Sequence, residues 1–439
     1  MKIIAYNAAS FPTILDKNGL VIQKIADGFE KSSGFEFVNK KDILVTQQED
    51  GKVKMIRNFD LKKYPIIDLD VFTLTNDSGI SGITSTVFGN VTNVFLSYTE
   101  RTENDRGEIS PFGNSYRIYR YEWDPNFLAL FNSTLVLDLP SASSIESHRG
   151  KIVIGPDDML YTVISEMNLE ERRQNMSQED PSNYSVYKYK PESAAVLKTT
   201  RDGLPLTEKG FERSYGFGIQ NSAGLTFDPL TGYLWYTKEG SGIWDRIKVV
   251  NPHFNNGECC TENNFKLPAN TSILYGKDGF RNDESEILGS NSSSVSTFLF
   301  MNSSALGKEY TNDLFVGDKR GYIYHFDLDR NRENVISEGN ISSHVFAADL
   351  GPISDMKIGP DKALYVLTFA NNTGSILEKG TGSLYRIAKD KIDLPLIRSE
   401  AINADYLWLI STFIIIITVL VTLKYFTHIT KRVHSLSKK

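Results

Sequence analysis

The chain has 439 residues, 40% hydrophobic and 23% charged, a balance that excludes a disordered protein and allows a core that needs no disulfide staples. Five of its 48 Lys and Arg residues and none of its 54 Asp and Glu residues lie from Lys424 onward, so 43 basic residues face 54 acidic ones upstream. Such an acidic body argues against a nucleic-acid partner.

The opening stretch, Met1 to Pro12, is too short and too polar to supply the apolar core of an export signal. After this 1–13 extension the pattern turns to β structure, favoured by 21 Tyr and 25 Phe. The recurring unit is a hairpin of two alternating strands around a turn rich in Gly, Pro and Asp. Its best copies run Lys151–Tyr161, Leu225–Trp235 and Met356–Tyr365. Proline presets φ at the first corner, and Asp or Gly accepts the second. A further alternating strand follows each hairpin, at Lys52–Asn58, Tyr116–Asp124, Tyr184–Pro191, Asp245–Pro252, Tyr322–Asp329 and Ser383–Lys389. Six such units predict an all-β fold over 14–395, a six-bladed propeller whose radial sheets protect their own edges.

Beyond a linker at 396–405, Tyr406 to Leu423 runs eighteen residues without a charge. At about 1.5 Å per residue this covers roughly 27 Å, the thickness of a bilayer core. Tyr406 and Trp408 stand at one end and Lys424, Tyr425 and Phe426 at the other, as interfacial anchors do. The expectation is one transmembrane α-helix over 406–426 and a basic cytoplasmic tail over 427–439, with the propeller outside a cell membrane. Ten Asn-X-Ser/Thr sequons, all upstream of the span, agree with a glycosylated cell-surface domain.

Motifs of other chemistries are missing: there is no Gly-X-Ser-X-Gly, no His-Glu-X-X-His and no phosphate-cradling glycine loop. Cys259 and Cys260 are neighbours, and no further cysteine exists to complete a metal site. His253, His325 and His344 are dispersed, and His325 between Tyr324 and Phe326 reads as a packing residue. Asp157 and Asp361 are explained by their turns, and the Glu170–Arg173 charge run by a solvated loop.

The wording from Ser147-His148-Arg149-Gly150-Lys151-Ile152 to Gly155-Pro156-Asp157-Asp158-Met159-Leu160-Tyr161 resembles the glucose/sorbosone dehydrogenase family. Four further segments follow in the family's order: Gly82-Ile83 with Val94–Glu100, Asn221–Pro229, Asn312–Gly321, and Ile353–Leu367 with Gly382–Ile387. The resemblance covers about Leu20 to Lys389. It implies a six-bladed propeller that oxidises a sugar or related alcohol with pyrroloquinoline quinone (PQQ) and calcium, passing electrons to a partner. By the same resemblance His148 is the general base, Gln220, Asn221 and Lys319 contact the cofactor, and the carbonyls of Gly240 and Ser241 hold calcium.

The chain also departs from the family's pattern. His148 lies one residue nearer to Gly150, Gln220 replaces an arginine, and Pro352 and Ser354 stand where the family places arginines ahead of Asp355. Each lost guanidinium forfeits about 1.5–3 kcal/mol of charged hydrogen bonding to cofactor carboxylates. These departures set a second expectation beside the first, a propeller without catalysis that binds glycans or proteins. A calcium-dependent lactone hydrolase on the same architecture would need an ordered set of axial Glu, Asn and Asp ligands, which the sequence lacks.

Overall fold

The computed structural model describes residues 12–15, 19–73, 79–101, 115–140, 150–164, 195–201, 214–217, 219, 222–238, 246–250, 271–273, 295–336, 341–369 and 382–392. The chain divides after Asp393, and the second unit, Leu394–Lys439, lies outside the described residues together with the expected membrane span and tail. Among the described residues no helix is long and apolar enough to cross a membrane.

Six antiparallel sheets make up the first unit. Blade 1 starts from the inner strand Ser32–Phe37, blade 2 from Ile80–Phe88, blade 3 from Ile152–Ile154, blade 4 from Leu225–Phe227, blade 5 from Val295–Phe300 and blade 6 from Ile353–Ile358. Each inner strand packs against the next, and that of blade 6 packs against that of blade 1, so the ring closes. The expected six-bladed propeller is the fold. Its described helices are two short 3-10 turns, Lys308–Tyr310 and Ile341–His344.

The N-terminal segment closes the ring. Val21–Phe29 forms the outer strand of blade 6 against Gly382–Ala388, and Thr13–Ile14 pairs with Val345–Ala348 of blade 5. Two blades therefore join chain from opposite ends of the sequence.

Burial follows position in the blade. Second strands such as Asp42–Gln47, Leu314–Asp318 and Leu364–Thr368 are buried at every residue, because both faces meet a neighbouring blade. Third strands such as Ser115–Asp124 alternate, because near the rim one face meets water. The core is thus a series of layers between blades. Trp235, Ile247, Phe298 and Tyr324 fill the layer between blades 4 and 5. Phe95, Tyr116, Ile118 and Leu160 fill that between blades 2 and 3, and Phe37 meets Tyr365 edge-on at 5.0 Å between blades 1 and 6.

The repeated hairpin wording has a packing cause. In Gly155-Pro156-Asp157-Asp158 the Gly155 N–H donates to the Met159 carbonyl at 2.8 Å, and Asp158 takes φ 63°. Asp157 accepts from the Met159 N–H and from the Tyr161 hydroxyl, at 3.2 and 2.9 Å. Asp361 accepts the same two bonds from the Ala363 N–H and the Tyr365 hydroxyl, both at 3.3 Å. A β-carbon at Gly155 would lie 2.6 Å from the Tyr161 ring, and one at Gly359 would overlap the Tyr365 ring. Glycine is required there by the tyrosine folded over it.

Five of the six strands expected after the hairpins coincide with the third strands of blades 1, 2, 4, 5 and 6. The third strand of blade 3 is Ala195–Thr199, whereas the expected Tyr184–Pro191 lies outside the described residues.

Candidate active site at one end of the propeller axis

In every blade the start of the inner strand lies beside the end of the second strand. Ile152 pairs with Thr162, Leu225 with Tyr236 and Val295 with Asp318. Gly150, Ser222, Lys238 and Lys319 therefore gather at one end of the ring. These flank or include every position that the resemblance ties to chemistry. His148, Gln220, Asn221, Gly240 and Ser241 themselves lie outside the described residues.

The backbone beside these positions is pinned. The Gly150 carbonyl accepts from the Ser97 hydroxyl at 2.8 Å and from the Ser81 and Tyr116 hydroxyls at 3.3 Å each. A β-carbon at Gly150 would overlap the Tyr116 hydroxyl, so the chain entering blade 3 tolerates glycine alone. In blade 4 the buried Thr237 hydroxyl oxygen accepts from the N–H groups of Ala223 and Gly224, at 3.0 and 2.7 Å. Tyr116, Ser97 and Thr237 hold the frame from which His148 and Asn221 depart.

Lys319 is exposed, on a turn built by the buried Asp318. Asp318 accepts from the N–H groups of Arg320 and Tyr322 at 2.9 Å each, and from the Arg320 Nε at 2.9 Å. Burial raises the Asp318 carboxyl pKa, against the pull of Arg320. The positions where the resemblance places arginines have other duties. The Pro352 carbonyl accepts the Phe369 N–H at 2.6 Å, and the Ser354 hydroxyl donates to the Leu367 carbonyl at 3.3 Å, both within the blade 6 hairpin.

A cavity of about 370 Å³ runs along the axis, lined by the inner strands of blades 2 to 6. A charged network crosses it. Lys357 of blade 6 donates to Glu36 of blade 1 at 2.7 Å and reaches the Ile83 carbonyl of blade 2 at 3.5 Å. Lys151 of blade 3 donates to the Ser33 carbonyl of blade 1 at 2.9 Å and lies 3.8 Å from Asp355. Asp355 in turn accepts the Phe35 N–H at 3.1 Å. Burial pushes the Glu36 carboxyl above its ordinary pKa, against Lys357. The same burial works to lower the Lys357 pKa, but Glu36 and Asp355 outweigh it and hold the ammonium charged. Within this network two cations face two carboxylates, so its own charges cancel. Reading the sequence for motifs missed this network. Its signal was present in single charges interrupting the apolar inner strands, at Phe35-Glu36-Phe37 and Met356-Lys357-Ile358.

The described residues thus form a six-bladed ring of antiparallel sheets around a cavity whose lining carries Lys151, Asp355 and Lys357. The family model of Glucose / Sorbosone dehydrogenase matches residues 29–378, and the chain belongs to that family. It is similar to the aldose sugar dehydrogenase YliI of Escherichia coli, 24% identical over 301 residues covering 65% of this chain and 72% of that one. Among solved structures, the PQQ-bound aldose sugar dehydrogenase of Streptomyces coelicolor superposes with TM-score 0.59 at 16% identity, covering 87% of this chain and 99% of that one. A putative oxidoreductase (glucose dehydrogenase) of Thermus thermophilus gives TM-score 0.59 at 21% identity, with 84% and 99% covered.

Proposed function

We propose that this protein is a membrane-anchored dehydrogenase that oxidises a sugar or related alcohol outside the cytoplasm, using PQQ and calcium. The observation that carries this reading is the gathering of Gly150, Ser222, Lys238 and Lys319 at one end of the axis of a family member. His148 would accept the proton of the substrate hydroxyl, and the three hydroxyls on the Gly150 carbonyl would restrain the loop that presents it. Asn221, Gln220 and the exposed Lys319 would hold the cofactor, and the Gly240 and Ser241 carbonyls the calcium. The quinone, when bound, supplies the hydride acceptor. Tyr406–Leu423 would tether the propeller, with Lys431 and Arg432 on the cytoplasmic side and an electron-accepting partner at the cell surface.

The test is titration of the purified protein with PQQ and calcium, followed by dye-linked oxidation of a panel of aldoses and alcohols. Saturable binding with a spectral change and turnover supports the reading, and His148→Ala should abolish turnover while cofactor still binds. Absence of binding at high micromolar cofactor would sink it. The tether is tested by alkaline extraction of membranes, which should release a chain stopped at residue 400 and not the full chain.

One observation favours a second reading, a catalytically silent propeller that binds glycans or proteins. Pro352 and Ser354 offer no cation at the site end, and Lys151 and Lys357 are neutralised within the axis. Glycan-array binding without any cofactor binding would support it.

A further inference from the structure

We propose that blade 5 carries a binding site for a divalent first-row transition cation, held by His325, Asp313 and Asp327 with His344 beside them. The strand register builds it. Leu314 pairs with Phe326 and Phe315 with His325, so Asp313 stands across from Asp327 on neighbouring strands. The two-residue period of a strand puts Asp327 on the same face as His325. One ligand atom from each of the three lies within 4.8 Å of the others. His325 Nε2 is 2.9 Å from Asp313 and 4.0 Å from Asp327.

Like charges set opposite each other on a sheet repel. Among the described residues, the only basic group within ion-pairing distance of either carboxylate is the His325 imidazole. A bound dication supplies the missing positive charge. A pocket of about 100 Å³ lined by His325 and Asp327 adjoins the cluster, with His344 on its wall and outside the three-residue ligand set.

Both rings are held in place. His325 meets Tyr310 edge-on at 5.0 Å and lies 5.1 Å from Phe315, while His344 stacks on Phe326 at 4.8 Å. Ligands fixed before binding lose less conformational freedom when the ion arrives. Imidazole nitrogens with carboxylate oxygens and no sulfur suit zinc, manganese or nickel better than calcium. The cluster also stands apart from the expected cofactor site, because Asp313 and Lys319 flank opposite ends of the strand Leu314–Asp318.

Zinc titration of the chelator-stripped full chain in detergent tests the site by calorimetry. The expected result is one zinc equivalent whose affinity falls about 10-fold or more in Asp327→Asn and His325→Gln, with a rise in unfolding temperature that both variants lose. Asp327 is exposed, so its variant should fold normally. Calcium and PQQ titrations should be unchanged in both variants, which separates failure here from failure of the proposed function. Zinc binding of equal stoichiometry and affinity in wild type and variants would overturn the proposal, as would no binding at a hundredfold excess of zinc.

Discussion

Arg332 of blade 5 forks onto Asp228 of blade 4, with Nε 2.7 Å from Oδ2 and Nη2 2.9 Å from Oδ1, across 104 residues of sequence. The Asp228 side chain is fully buried and also shapes its own hairpin turn, accepting from the Leu230 N–H and the Thr231 hydroxyl. The same guanidinium donates to the Asn312 carbonyl at 2.6 Å. One bidentate pair thus locks two blades together at the turn of one of them. Removing a single partner leaves a buried charge without its counterion, at a cost of about 3–5 kcal/mol. Arg332→Met should lose stability in that range by urea denaturation. The double variant with Asp228→Asn should lose clearly less than the sum of the two single losses.

The glycine before each Pro-Asp turn makes a second prediction. Gly155→Ala and Gly359→Ala each force a methyl group against a tyrosine ring, and overpacking of this kind costs about 1–3 kcal/mol. Thermal unfolding should show the loss. The Gly359→Ala penalty should shrink in a Tyr365→Leu background, because the ring that it strikes is gone.

Asp157 gives a pH dependence. Burial pushes its carboxyl pKa up, but Lys198 at 2.7 Å, the Tyr161 hydroxyl and the Met159 N–H outweigh burial and leave it below the ordinary 3.8. A depressed folded-state pKa means that Asp157 contributes stability above about pH 4 and loses it as pH falls through the lower folded value. The side chain is 38% exposed, so the contribution is at most about 1 kcal/mol. The stability difference between wild type and Asp157→Asn should be constant from pH 7 to 5 and vanish toward pH 2.

The site end offers a gain-of-function test. Ser354 makes one weak bond, to the Leu367 carbonyl at 3.3 Å, so the position has little to lose. Ser354→Arg should add one charged hydrogen bond to an anionic cofactor, about 1.5–3 kcal/mol or a 10- to 150-fold gain in affinity. Titration with PQQ measures it. An unchanged dissociation constant would show that residue 354 does not face the bound group.

The ring was legible because its signals are local. Each hairpin turn is written in adjacent residues, and the copies at Gly155 and Gly359 share a cause, a tyrosine folded over a glycine. Long-range pairing was not legible. Nothing within Val21–Phe29 says that its partner is Gly382–Ala388, and nothing in Asp228 points to Arg332. The axial network escaped for the same reason, since Glu36 and Lys357 lie 321 residues apart and each alone reads as a stray charge in a strand. His325 and His344 read as scattered because strand order, not sequence spacing, brings them to one pocket. The loops that the wording singled out at His148, Asn221 and Gly240 lie outside the described residues, and the fold shows only that their flanks, Gly150, Ser222 and Lys238, come to one end.

The seam in blade 6 has a consequence for biosynthesis. Val21 pairs with Ala388 and Phe29 with Gly382, and Arg386 reaches Gln23 across 363 residues of chain. At ribosomal rates of about 5–20 residues per second, the first strand waits roughly 20–70 s for its mate to emerge. Through that interval it is an unmatched ribbon beside a growing set of sheets. Lys24 and Asp27, exposed on that ribbon, are the kind of charge that discourages premature zipping to a stranger. Until the last blade is made, those two charges are a guard that the strand carries within its own sequence.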